Sequence, residues 1–202
     1  MSQQAEHEEI KKKILTTGIR VGTEVKTKFM IPYITQANPE GLYLFDIDIT
    51  LNRIQTAARF IKKFDIKKVI VYSGRTYATT PIEKFCQLTG AKKMLGRFMP
   101  GTLTNPSLPY YSEPKLIVIS DPQVDAQAVT EATNAGIPVI GIANTDNVTS
   151  KLDLVIPANN RGRKALATIY WLLASEILQD SKAMKYEIDD FETKTAEVEE
   201  EL

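Results

Sequence analysis

The chain has 202 residues, a single cysteine, a single histidine, and 25 acidic against 25 basic side chains. That length suits one domain with an ordinary core. No apolar run approaches the roughly 18 residues of a membrane helix, the start Met1–His7 is too polar for a secretory signal, and Cys86 alone forms no internal disulfide. The expected compartment is therefore the cytoplasm, with no membrane partner.

Neutrality conceals an asymmetry. From Gln179 to Leu202 nine acidic residues stand against three lysines, so this tail carries −6 and residues 1–178 carry +6. In chain order, Glu6 to Thr16 has helical composition and stops at Gly18, its charge passing from acidic (Glu6, Glu8, Glu9) to basic (Lys11, Lys12, Lys13). Gly18 to Pro39 is a polar excursion with weak periodicity, room for one short strand, and Lys26 and Lys28 beside Phe29, Met30 and Tyr33. From Gly41 the pattern becomes regular. Leu42–Phe45 reads as a buried strand, Thr50 to Phe64 as a helix with Ile54, Ala57, Ala58 and Ile61 on one face, and Val69–Tyr72 as the next strand.

Thr80-Pro81-Ile82-Glu83 has the form of a capping box, and Gly90 closes the helix it opens. Met94-Leu95 is a short strand running into an irregular loop. Leu116–Ile119, Val139–Ile142 and Leu154–Ile156 are further strands. Asp121-Pro122 caps a helix that Gly136 ends, and the last helix runs from Arg163 to Leu178. Strands alternating with helices predict an α/β fold with a mostly parallel sheet of five to six strands, covered on both faces. Residues 1–178 form the single domain, with an amino-terminal helix and a basic excursion; the tail 179–202 has few apolar anchors and is expected to be mobile.

Two segments carry binding chemistry. Gly96–Pro106 is too broken by Gly and Pro for a helix or strand and has no acidic residue; Pro100 and Pro106 stiffen it. Asn159-Asn160-Arg161-Gly162-Arg163-Lys164 opens the last helix with three cations. Rigid, cationic, donor-rich loops suit a polyanion, and Arg, Lys, Asn and backbone N–H groups are what hold phosphate. The candidate nucleic-acid contacts are Lys26, Lys28, Arg97, Thr104, Asn105, Asn160, Arg161, Arg163 and Lys164.

A catalytic reading competes. Asp46-Ile47-Asp48-Ile49-Thr50-Leu51 resembles the first motif of haloacid-dehalogenase-like, Mg-dependent phosphohydrolases, with Asp46 as nucleophile and Asp48 as acid/base. Ser73-Gly74 resembles their second motif, and Asp121 with Asp125 the metal-binding one. The same residues are ordinary caps at strand-to-helix junctions. Thr50 also runs straight into a helix, leaving no room for the flap those enzymes carry, and Ser120 stands where Gly is usual. Neither a Cys–His pair nor a zinc cluster, a Walker loop or a dinucleotide fingerprint is present. Cys86 reads as a core residue, and Tyr170 and Trp171 as core or partner contacts. The expectation is no enzyme, no cofactor, no metal and no small-molecule substrate.

The string Gly96–Pro106 resembles the signature of ribosomal protein S2 of the small subunit, in the archaeal branch related to the eukaryotic laminin-receptor-precursor ribosomal proteins. The likeness continues through Glu113-Pro114, Asp121-Pro122, Asp125–Ala128, Gly136–Val139, Thr145-Asp146-Asn147, Asp153–Pro157, Asn159–Lys164 and Tyr170–Leu173. It implies a flavodoxin-like α/β/α sandwich without the long helical hairpin that bacterial members insert in the first crossover. It also implies a place on the ribosome between head and body, contacts with small-subunit rRNA and neighbouring ribosomal proteins, and a structural and assembly role in translation. Two positions depart from the pattern: Gln123 stands where Arg is frequent, and Asn144 where Asp is commoner.

Overall fold

Every side chain of Val69–Ser73, Leu116–Ile119 and Val139–Ala143 is buried, and strands covered on both faces belong in the middle of a parallel sheet. The computed structural model, which describes residues 14–178 and 186–193, has that sheet. A short antiparallel ribbon comes first, β1 (Ile34–Ala37) on β2 (Tyr43–Phe45), followed by α1 (Ile47–Ile61). Then come β3 (Val69–Ser73), α2 (Thr79–Thr89), β4 (Lys92–Leu95), β5 (Leu116–Ile119), α3 (Ala126–Asn134), β6 (Val139–Ala143), β7 (Leu154–Pro157) and α4 (Arg163–Leu178). The main sheet is parallel in the order β4-β3-β5-β6-β7, the flavodoxin-like arrangement, in which the strand order reverses between β3 and β5. A single helix, α1, links β2 to β3, with no hairpin inserted.

The two faces are covered unequally. On one, α1, α2 and α4 close over Val69, Val71, Leu116, Val118, Ile140 and Ile142. The run Ala165–Tyr170 of α4 is wholly buried because this helix packs against both α1 and α2. Among the described residues, the other face has one helix, α3, with the loop after β4 beside it. Phe98 and Leu103 of that loop share a cluster with Ala128, Val129 and Ala132 over Ile70, Tyr72, Ile117 and Ile119. An irregular segment thus stands where a covering helix is usual, and two of its side chains are core. Tyr72 and Phe98 meet edge to face, ring centres 5.2 Å apart.

Several local expectations are corrected. The strand at Leu42–Phe45 exists as β2, but it pairs antiparallel with β1 outside the main sheet, where Phe45, Met30 and Ala143 form a small cluster of their own. Helix α1 starts at Ile47 rather than Thr50, because Asp46 Oδ1 accepts from the backbone N–H of Asp48 (2.9 Å) and Ile49 (3.3 Å); it ends at Ile61 rather than Phe64. The capping box at Thr80 does not form. Helix α2 begins after Ala78 with no side-chain cap, and Pro81 lies in the first turn, where its missing N–H is no loss. Gly90 closes α2 at φ 83°, as expected. Asp121 holds a turn through Gln123 N (2.9 Å), leaving Asp125 as the N-cap position of α3. The expected helix Glu6–Thr16 lies outside the described residues apart from Ile14–Thr16.

Within the acidic tail, residues 186–193 dock on α2 and α4. Phe191, closing the short turn Ile188–Phe191, is fully buried. Trp171 Nε1 donates to Tyr186 O (2.8 Å), Thr193 Oγ1 donates to Tyr77 O (3.0 Å), and the Lys84 ammonium lies 5.8 Å from the Tyr186 ring centre. One buried phenylalanine outweighs the polar composition around it. The rest of the tail lies outside the described residues.

Candidate nucleic-acid interface

Parallel strands all point the same way, so the loops that follow them share one edge of the sheet. Taken in strand order, this carboxyl edge carries Gly96-Arg97 after β4, Gly74-Arg75 after β3, Ser120-Asp121 after β5, Asn144–Asn147 after β6 and Asn159–Arg161 after β7. The amino-terminal excursion joins it at β6. Thr23 N donates to Thr145 Oγ1 (2.9 Å), Thr27 N to Thr145 O (2.8 Å) and Thr27 Oγ1 to Asn147 O (2.9 Å). Lys26 and Lys28 are thereby brought to the same edge, both exposed, with the Lys26 ammonium 4.7 Å from the Tyr43 ring centre.

Arg97 is exposed at a cleft of about 370 Å³ that Tyr72, Gly74, Phe98 and Asp125 also line. Lys164, at the start of α4, is exposed too, and Arg163 is half-buried. The side chains of Lys28, Arg97 and Lys164 have no ion-pair or hydrogen-bond partner among the described residues.

Thr104 and Asn105 do not join this edge. Their loop turns back across α3, where Glu131 gathers it: Oε1 accepts from Gly101 N (2.8 Å) and Gln127 Nε2 (2.8 Å), and Oε2 from Leu103 N (3.2 Å) and Thr104 Oγ1 (3.5 Å). Burial by itself would push the Glu131 carboxyl up, but these four donors outweigh it and hold its pKa below the usual value. Asn105 accepts from Ser107 N (3.1 Å) and so stiffens its own turn.

Asn160, one of the candidate contacts, lies inside the edge rather than on its surface. It is fully buried, and its Nδ2 donates to Ile142 O (3.2 Å) and Asn147 Oδ1 (3.0 Å), tying the β6 and β7 loops together. Arg161 is exposed and ion-paired to Asp146. Asn159 Oδ1 accepts from Arg161 N (3.0 Å) and Gly162 N (3.3 Å), which fixes the entry to α4.

Sequence reasoning missed Arg75 and Glu131. Arg75 grips Asp121 through Nε (2.7 Å) and Nη2 (2.5 Å). Its only signal was a place just after a strand. Beside it Asp125, almost fully buried, accepts from Gly74 N (2.9 Å) and Asp121 N (3.4 Å); burial pushes its carboxyl up to about 7, against the pull of those backbone hydrogen bonds.

The phosphohydrolase arrangement is not assembled. Asp46 was expected at the carboxyl end of a parallel strand, but β2 is outside that sheet, and Asp46 caps α1. Ser73 Oγ accepts from Arg75 N (3.1 Å), Asp121 is held by Arg75, and Ser120 Oγ bonds Tyr170 OH (2.7 Å) in the core. Among the described residues no group of three or more His, Cys, Asp or Glu is placed to hold a metal, and no helix is long and apolar enough to cross a membrane. Cys86 of α2 is buried in the core, and that burial pushes its thiol up to about 12.

A model of the ribosomal protein S2 family matches residues 109–180. The small ribosomal subunit protein uS2 of Nitrosopumilus maritimus is 70% identical over 205 residues, covering 98% of this chain and 99% of the relative. The uS2 of Cenarchaeum symbiosum is 59% identical over 197 residues, 95% of each chain. That of Thermofilum pendens is 54% identical over 165 residues, 82% of this chain and 77% of the relative. With likeness at this level from end to end, the chain belongs to the ribosomal protein S2 family.

Proposed function

We propose that this protein is a structural constituent of the small ribosomal subunit, holding small-subunit rRNA at the carboxyl edge of its sheet and neighbouring ribosomal proteins elsewhere. It works in the cytoplasmic ribosome, between head and body, in subunit assembly and translation rather than catalysis. The name its relatives carry, small ribosomal subunit protein uS2, supports the assembly. One observation supports the edge: Lys26, Lys28, Arg97 and Lys164 are exposed there, and none is ion-paired to a carboxylate among the described residues. Contacts of this kind position a protein on phosphate without reading sequence, and helical RNA offers shape and 2′-hydroxyls more readily than base edges. Arg161 joins them by exchanging Asp146 for phosphate. The acidic side chains Glu187, Asp189 and Asp190 of the docked tail suit a basic protein neighbour.

Cosedimentation with small subunits in moderate salt tests the assembly. The wild-type chain is expected to travel with the subunit, and a chain that stays at the top of the gradient rules the constituent role out. Replacing Lys26, Lys28, Arg97 and Lys164 together by Gln should make the salt dependence of rRNA binding shallower by about 3, at roughly 0.7–0.9 per phosphate contact. An unaltered slope means that another face holds the RNA.

A further inference from the structure

The opposite end of the sheet gathers a charge that the sequence keeps scattered. Lys62 and Lys63 follow α1, Lys67 and Lys68 close the short turn Ile66–Lys68 that leads into β3, Lys92 opens β4, and Lys115 precedes β5. The topology assembles them. Lys115 N donates to Lys68 O (2.8 Å) and Ile70 pairs with Lys92, so Lys115, Lys68 and Lys92 stand at the starts of three adjacent strands, spanning about 10 Å at ~4.8 Å per strand.

All six lysines are exposed, and none has an ion-pair partner among the described residues. The acids nearby are otherwise engaged. Asp65 accepts from Lys67 N (3.1 Å), Glu113 accepts from Tyr111 OH (2.7 Å), and Glu83 pairs with Lys93 (2.5 Å). The end of α1 accounts for Lys62 and Lys63 through the helix dipole, but not for the other four. The six match the whole net charge of residues 1–178.

We propose that this amino edge is a second RNA-binding surface, taking the phosphate backbone of an rRNA segment distinct from the one at the carboxyl edge, so that the protein bridges two segments. Strand β3, Val69–Ser73, separates the edges by about 16 Å at ~3.3 Å per residue, beyond the Debye length of roughly 8 Å at physiological salt. The two charge clusters therefore act as independent sites. Lysines, mobile point charges without a guanidinium fork, suit phosphate held for position alone. The proposal rests on the rRNA reading above.

The test uses the full chain and purified small-subunit rRNA, read by hydroxyl-radical footprinting and salt titration. Three proteins are compared: wild type, a variant with Lys62, Lys63, Lys67, Lys68, Lys92 and Lys115 replaced by Gln, and the carboxyl-edge variant already described. Wild type should protect two separate tracts. The amino-edge variant should lose one of them, keep the other, and show a salt slope shallower by about 2 to 4, at roughly 0.7 per phosphate released. The carboxyl-edge variant should lose the other tract. Both tracts and the slope unchanged in the amino-edge variant overturn the second surface. A wild-type chain that protects no RNA sinks the rRNA reading itself, a separate result. Thermal melting confirms that these exposed changes leave the fold intact.

Discussion

Glu131 should decide whether the loop after β4 holds its shape. The carboxylate is 5% exposed and receives two backbone N–H groups and the Gln127 amide at 2.8–3.2 Å, besides the longer Thr104 contact. A hydrogen bond to a charged acceptor contributes about 1.5 kcal/mol at the low end, so three amount to roughly 4.5 kcal/mol. Gly101 is only half-buried and water can replace its partner, which brings the expected loss for Glu131→Ala to about 3 kcal/mol. Glu131→Gln keeps one acceptor but turns an amide toward donors, and should lose about half as much. Denaturant unfolding at neutral pH gives the total, and amide exchange at Gly101 and Leu103 shows whether the loop loosens first. Because the folded pKa of Glu131 lies below its unfolded value, this stabilisation is complete above the ordinary carboxylate range and is lost as pH falls through the folded pKa. Glu131→Gln should therefore flatten the acid limb. If Glu131→Ala leaves both amides protected and changes stability by less than about 0.5 kcal/mol, Phe98 and Leu103 hold the loop by packing alone, and the anchor argument is wrong.

Asp125 should behave in the opposite sense. Its folded pKa of about 7 lies above the unfolded value, so its contribution is complete below about pH 4 and declines as pH rises toward and through 7. Asp125→Asn removes that decline, and its stability relative to wild type should improve between pH 5 and 8 by a few kcal/mol, at about 1.4 per unit; parallel pH profiles would refute it. Phe191→Ala should release the docked tail segment, at about 3 kcal/mol for an emptied aromatic site, and proteolysis within residues 186–193 should accelerate. Cleavage no faster than in wild type would show that Trp171 and Thr193 suffice to hold it.

Much of the fold was legible because its strands are continuous β-branched and aliphatic runs, which only a doubly covered sheet accommodates. Gly90 was legible for a similarly local reason, since a left-handed φ favours glycine. The strand Tyr43–Phe45 was misplaced because a short apolar run looks the same in a ribbon and in a sheet; its partner β1 came from a stretch with no clear period. Phe191 was passed over because composition averages a single aromatic among acids. Asn160 was taken for a surface donor because an asparagine beside arginines gives no sign of burial.

The sequence by itself determined the alternation of strands and helices, the separation of a basic body from an acidic tail, and the signature loop with its family. These are properties of neighbours along the chain, which local propensity and patterning express directly. Only the tertiary structure decided which charges meet: Arg75 with Asp121, Glu131 with the loop after β4, and six lysines from separate elements at one end of the sheet. The physical reason is that parallel strands bring together residues distant in sequence, and the order in which those strands lie is written in the packing of the sheet's two faces rather than in any one segment.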